Sequence, residues 1–331
     1  MIQRLLRKIF PMFPAGLSML WESTDPRGAL QERFGLDGFD DAAGWLAERL
    51  ARDWAIDVDA CDRILISAAN GIAWLRTDRG TVVAKWSRAQ DQFVRLAAVA
   101  DLLQVLHGQG IPVAPPLAAD DGRLRVIVDS GGSPLSMTVQ PHVDGGLLDV
   151  TDDTAVRRAG ACLAHLHRAL AGHRDSRLTD VEPGRPVDLR GRLEAWLEFG
   201  DAGTAPAASA RLREQIASLP PIDSEPQLIH FDYRASNIIT AGSEVAAVLD
   251  FDRVSWDYCV LDLANTFVRL GTYFTDWRPT PTSVRSAFLD GYRSVRPLTR
   301  LEHRWLDALA LWFGITAIPA GDDPAGWADA L

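Results

Sequence analysis

His230-Phe231-Asp232-Tyr233-Arg234-Ala235-Ser236-Asn237 is followed at short range by Ala246-Ala247-Val248-Leu249-Asp250-Phe251-Asp252. The first segment has the spacing H-x-D-x-x-x-x-N, and the second is an apolar strand that ends in carboxylates. Phosphoryl transfer from a magnesium nucleotide needs one carboxylate beside the attacking hydroxyl. It also needs an Asn and a further Asp to hold the metal on the phosphates. Both requirements are met here in chain order, so the spacing predicts a catalytic loop followed by a strand and a metal-binding Asp.

Bulk properties are compatible with that reading. The 331 residues are 47% hydrophobic, enough for a sizeable core in two domains or lobes. Cys61, Cys162 and Cys259 are scattered and form no C-x-x-C, which argues against a disulfide framework or a zinc site and fits a reducing cytoplasm. No apolar run approaches the roughly 20 residues needed to cross a bilayer. Pro11 and Pro14 interrupt the apolar start, and no A-x-A site follows, so a signal peptide is not expected. The net charge of −10 disfavours nucleic acid as a partner and is compatible with a cationic small molecule.

Working outward, residues 1–60 read as an N-terminal helical extension, with Asp40 or Asp41 capping a helix through Trp45, Leu46, Leu50 and Trp54. Strand-like segments follow at Ile64–Ser67, Ile72–Leu75, Thr81–Trp86, Leu124–Val128 and Leu135–Gln140, with one helix inserted from Phe93 to Leu106. After Asp144-Gly145-Gly146 the pattern changes to long helices, the first capped at Thr151-Asp152-Asp153. Loops are expected at 172–190 and 200–208, and helices at 260–271, 282–293 and 300–314. The fold class is α+β: a small antiparallel sheet in residues 61–143, then a larger, mainly helical part in 144–331.

Taken together, these landmarks resemble the aminoglycoside phosphotransferase family, small-molecule kinases with a bilobal protein-kinase-like fold. The likeness rests on Val82-Val83-Ala84-Lys85, Gly110-Ile111-Pro112-Val113, Leu163-Ala164-His165-Leu166-His167, the H-x-D-x-x-x-x-N loop, Leu249-Asp250-Phe251-Asp252 and Asp262-Leu263-Ala264. It covers roughly residues 60–315. The resemblance implies that Asp232 orients or deprotonates the acceptor hydroxyl and that Asn237 and Asp250 hold Mg²⁺, a hard cation that prefers oxygen ligands. A place for Asp252 near the metal and a place in solvent both stay open. His230 stands with Asp232 in the catalytic set, expected to brace the loop through backbone hydrogen bonds, with a direct chemical role as the alternative, and His167 reads as a core histidine.

Of the 34 Lys and Arg residues only Lys8 and Lys85 are lysine. A compact point charge on an apolar strand suits nucleotide phosphates better than a planar fork, so Lys85 is the phosphate-binding candidate. Ser67-Ala68-Ala69-Asn70-Gly71 joins two strands and is either a phosphate-covering loop, through Ser67, Asn70 and Gly71, or a plain hairpin turn. The hinge falls at 140–143. Pro141 has no N–H to donate, which leaves Gln140, His142 or Val143 to bind adenine.

Two positions depart from the family pattern. Phe231 stands where the family usually has Gly, and Val99 falls where the inserted helix normally supplies a Glu to the strand Lys, with Asp91 and Asp101 the nearest acids. The expected activity is transfer of a phosphoryl group from ATP or GTP, with Mg²⁺, to a hydroxyl of a small molecule. An aminoglycoside-like antibiotic, which would make this a resistance enzyme, is one acceptor the resemblance implies; choline-like, sugar or amino-alcohol metabolites are the other. Asp257, Asp276 and Asp290 are candidates to recognise amines. A nucleotide-binding pseudokinase scaffold is the rival from another class. A protein kinase is disfavoured because no D-F-G, activation segment or A-P-E follows Asp250.

Overall fold

The computed structural model describes residues 15–179, 188–275 and 277–331. They form two compact units, one running to Gly146 and the other from Leu147 to Leu331.

In the first unit, β1 (Gly16–Met19), β2 (Val58–Ile66), β3 (Asn70–Thr77), β4 (Gly80–Ser87), β5 (Val126–Ser130) and β6 (Ser133–Pro141) build one sheet in the order β1-β2-β3-β4-β6-β5. β1 lies parallel to β2, and every other pair is antiparallel. Side chains alternate across the sheet. On β4, Val82, Ala84 and Trp86 are buried on one face, and Lys85 sits half-buried on the other.

The Trp86 face is covered by α1 (Pro26–Phe34) and α2 (Gly38–Trp54). Phe34 and Trp45 meet the Trp86 ring edge-on at 6.0 and 5.8 Å, and Leu30, Leu46, Leu50 and Trp54 complete the same core. Within the expected N-terminal extension, residues 16–54 add an edge strand and bury the back of the sheet. α2 also starts earlier than the pattern predicts, with Asp37 at its N-cap and the Asp41 carboxylate reaching back to the Asp37 N–H at 2.8 Å. α3 (Phe93–Gly108) follows β4 and buries Leu96, Val99, Leu102, Leu103 and Leu106.

The second unit contains α4 (Asp153–Leu170), α5 (Leu189–Phe199), α6 (Pro206–Ser218), α7 (Cys259–Arg269), α8 (Thr282–Val295) and α9 (Arg300–Ala317). Asp152 caps α4 by accepting the Thr154 and Ala155 N–H groups. α4 and α8 approach to backbone contact through two glycines. A Cβ on Gly160 would lie 2.0 Å from the Phe288 carbonyl oxygen, and one on Gly291 would lie 1.9 Å from that of Arg157. Two short antiparallel ladders lie in the same unit. β7 (Gln227–Ile229) pairs with β10 (Ser255–Asp257), and β8 (Ile238–Ala241) pairs with β9 (Glu244–Val248). The segment 230–237 therefore links β7 to β8, and Asp250 falls just after β9.

Candidate active site

Asp262, in the first turn of α7, anchors the 230–237 loop from below. Its side chain is fully buried, and its two oxygens accept the His230 N–H at 2.9 Å and the Phe231 N–H at 3.1 Å. His167 of α4 lies 3.1 Å away through Nε2, with its Nδ1 2.8 Å from the Tyr292 hydroxyl. Burial by itself opposes the charge on both partners. For Asp262 the His167 hydrogen bond and charge outweigh burial, and its pKa lies below the ordinary 3.8. For His167 the Cys259 and Tyr292 side chains and the Asp262 hydrogen bond outweigh it, and the pKa lies well above 6.5. Asp262 is the carboxylate that pairs with the imidazolium.

Phe231 takes a left-handed backbone, φ +62°. A glycine adopts that conformation without the cost a Cβ brings, which explains the family's preference at this position. Here the strain is held by Asp262 below and by Asn265, whose Nδ2 donates to the Phe231 carbonyl at 3.0 Å.

The next links bring the chemistry together. The Asp232 N–H donates to His230 Nδ1 at 3.2 Å, so Nε2–H donates to the Leu249 carbonyl at 3.0 Å. Leu249 in turn donates its N–H to the Asn237 carbonyl at 2.8 Å. One residue thus ties both ends of the loop to the strand that delivers Asp250. Asn237 Nδ2 donates to the Asp232 carbonyl and to its Oδ2, both at 2.9 Å. This leaves Asn237 Oδ1 as the oxygen available to a cation. Asp250, at φ +61°, emerges exposed rather than buried at its strand end.

Asp232 is mostly buried, its side chain 17% exposed, with Arg234 Nε at 3.1 Å from Oδ1. Burial raises its pKa; Arg234 opposes the shift, and the Asp250 charge adds to it. The Asp250 carboxylate and the Asn237 amide oxygen are hard oxygens of the kind Mg²⁺ prefers. No cluster of three or more His, Cys, Asp or Glu suited to a metal occurs among the described residues.

In the first unit, Lys85 stands on a central strand between Ile72 of β3 and Thr138 of β6. The 67–71 segment is a closed turn. The Ser67 N–H donates to the Asn70 carbonyl at 2.8 Å, and the Asn70 N–H donates to Ser67 Oγ at 3.3 Å. Gly71 has a packing reason, since its Cβ would lie 2.1 Å from the Trp86 indole. In the segment 140–143, expected as the hinge, the His142 N–H is committed to the Thr81 carbonyl at 3.0 Å. Hydrogen-bonded pairs alternate along an antiparallel ladder, so Gln140, opposite Val83, is bonded as well. Val143 is then the remaining N–H of the three.

The acids nominated for amine recognition are otherwise engaged. Asp257 is buried and pairs with Arg192 at 2.7 Å, and Asp290 pairs with Arg157 at 2.7 Å. Asp276 lies outside the described residues. A cavity of about 520 Å³ opens between α6, α7, α8 and α9, lined by Arg211, Gln215, Phe267, Arg285, Asp307 and Trp327, and Asp232 does not line it.

The sequence profile of the phosphotransferase enzyme family, APH, matches residues 64–310. The chain belongs to that family. Among its relatives is an uncharacterized protein of Synechocystis sp., 26% identical over 63% of this chain and 58% of that one. Homoserine kinases of Gluconobacter oxydans and Pseudomonas aeruginosa are also similar. The first is 28% identical, covering 71% of this chain and 73% of the relative. The second is 30% identical, covering 61% of each. The chain thus spans less than two thirds of the Synechocystis and Pseudomonas proteins.

Solved structures show the same α+β protein-kinase-like fold. An amicoumacin kinase in complex with AMP-PNP and Ca²⁺ superposes at TM-score 0.57 and 18% identity, covering 87% of this chain and 90% of that one. A microcompartment-associated aminopropanol kinase superposes at TM-score 0.57 and 17% identity, covering 87% and 92%. No helix of the described residues is long and apolar enough to cross a membrane.

For this phosphotransferase-family chain, sequence reading missed the anchoring role of Asp262, which stood only as a landmark. An Asp inside an otherwise apolar helical turn was the available signal. It also passed over Arg253 and Arg269, which only the folded chain brings near Asp232.

Proposed function

We propose that this chain is a Mg²⁺-dependent O-phosphotransferase that moves the γ-phosphate of ATP or GTP to a hydroxyl of a small molecule. The observation that carries the reading is the single hydrogen-bonded unit of Asp232, Asn237 and the Leu249–Asp250 strand end. In this reading Asp232 accepts the acceptor's proton as its oxygen bonds to the γ-phosphorus and the bond to the β-bridging oxygen breaks. Asn237 Oδ1 and Asp250 hold Mg²⁺, which neutralises charge on the phosphates. His230 and Asp262 position the loop and touch no substrate. Lys85 binds phosphate, and the Val143 N–H binds adenine.

Family membership supports the reading, as do the homoserine kinases among the relatives. The unbroken Asp232, Asn237 and Asp250 set disfavours a scaffold without turnover. The three free cysteines suit a reducing compartment, where nucleoside triphosphates are plentiful.

The test is Mg²⁺-dependent consumption of ATP and of GTP against a panel of hydroxylated metabolites and amine antibiotics. Acceptor-stimulated turnover that Asp232→Ala lowers by about 10² or more is expected. Turnover unaffected by Asp232→Ala would refute the assignment of the base, and failure to bind any nucleotide would refute the whole reading.

A further inference from the structure

The guanidinium groups of Arg234, Arg253 and Arg269 gather around Asp232. Arg234 is the one that pairs with it, its Nε 3.1 Å from Oδ1. Arg253 lies against the Phe231 ring, its guanidinium carbon 5.5 Å from the centroid. Arg269, from the last turn of α7, lies 5.9 Å from the Phe313 centroid. The two rings are themselves neighbours, with centroids 6.2 Å apart. Arg253 and Arg269 therefore flank one aromatic pair beside the catalytic loop. Neither has an ion-pair partner among the described residues.

Aromatic faces hold a guanidinium in place while leaving its N–H edges free for a planar or tetrahedral oxyanion. Arg269 is half-buried. Burial, followed by the nearby charges of Arg253 and Arg234, lowers its pKa, although Asp232 works the other way. Mutual repulsion in a partly desolvated cluster is relieved when an anion enters. By contrast, Asp257 and Asp290, expected to attract an amine, are each paired with an arginine.

We propose that the acceptor carries an oxyanion, a carboxylate or a phosphate, which Arg234, Arg253 and Arg269 bind while its hydroxyl meets Asp232. The inference rests on the phosphotransferase reading of the same site and names its acceptor class.

The test separates this inference from the reading beneath it. Full-length protein is loaded with Mg²⁺ and a non-hydrolysable ATP analogue, so that the donor's phosphate positions are filled. Inorganic phosphate and acetate are then titrated in separately at constant ionic strength, with chloride as the control. Saturable binding is expected, at least about tenfold weaker in Arg269→Gln and in Arg253→Gln (1.4 kcal/mol per tenfold). It is expected to be tighter in Asp232→Asn, which frees Arg234. Arg269→Lys keeps the charge without the fork and falls between, and melting curves confirm that each variant is folded. A preference for acetate identifies a carboxylate, and one for phosphate identifies a phosphate ester.

Absence of saturable binding, or equal affinity in Arg269→Gln, would overturn the proposal. So would binding that disappears on nucleotide loading, which would assign the arginines to the donor. If the analogue does not bind at all, the phosphotransferase reading fails, and the oxyanion titration on unloaded protein still decides this one. In turnover, a neutral or amine-bearing acceptor with the higher kcat/KM, unchanged in Arg269→Gln, would also overturn it.

Discussion

Replacing Asp262 by Asn removes one charge from a fully buried pair and leaves the catalytic loop without its anchor. The carboxylate accepts from the His230 and Phe231 amides and pairs with His167. Removing one partner of a buried ion pair costs about 3–5 kcal/mol, because the other charge stays buried and uncompensated. For a unit of this size each kcal/mol lowers Tm by about 2–4 °C, so a loss of roughly 6–20 °C is expected.

The pH dependence identifies the cause. The Asp262 pKa is depressed by folding, so its stabilisation is present above about 3.9 and is lost as pH falls through the folded value. The His167 pKa is raised, so its stabilisation is full below about 6.5 and is lost as pH rises through the folded value. The gap in Tm between wild type and Asp262→Asn should therefore be widest between about pH 4 and 6.5, and should narrow in acid. Thermal melts across that range make the measurement, and kcat should fall with the loop's loss of order. A gap under about 2 °C, or one that does not vary with pH, would refute the ionised anchor.

Other substitutions test neighbouring parts of the argument. Asp250→Asn should raise the Mg²⁺ concentration for half-maximal activity by about tenfold or more, because an ionised oxygen ligand of a hard cation is lost; an unchanged requirement would remove Asp250 from the metal. Gly291→Ala places a Cβ against the Arg157 carbonyl. It should destabilise by about 1–3 kcal/mol or more in denaturant melts, with nucleotide affinity retained. Gly71→Ala should lower stability by a similar amount through Trp86, and an Ala tolerated there would reopen a phosphate-binding reason for the glycine. Lys85→Met should weaken nucleotide binding in calorimetry, whereas Lys85→Arg should not restore it fully, since the planar fork differs from a point charge.

The strands and helices that carry the site were legible because their periodicities are strong. Residues Phe93 to Leu106 read as helix, and α3 runs Phe93–Gly108; Thr81–Trp86 lies inside β4. The N-terminal segment was harder. Gly16–Met19 gains its strand character only from pairing with Arg63–Ile66, a contact that no local pattern announces. Gly71 and Asn70 suggested either a turn or a phosphate loop, and only the position of Trp86 across the sheet supplied the packing reason. The hinge set of Gln140, His142 and Val143 narrowed once the β4–β6 register was known.

What the sequence by itself determined is the chemistry available and its order along the chain: a loop with Asp232 and Asn237, then a strand that ends at Asp250. These are fixed by spacing, since residues in one loop stay near each other in any fold that forms it. Only the tertiary structure decided which distant groups surround that loop. His167 and Tyr292 meet because the two glycines let α4 and α8 close to backbone contact, and Asp262 of α7 packs against the same imidazole beneath the loop. Arg253 and Arg269 come together because the tilted rings of Phe231 and Phe313 lie side by side, each against one guanidinium. Such contacts depend on packing between elements far apart in sequence, and no periodicity encodes them.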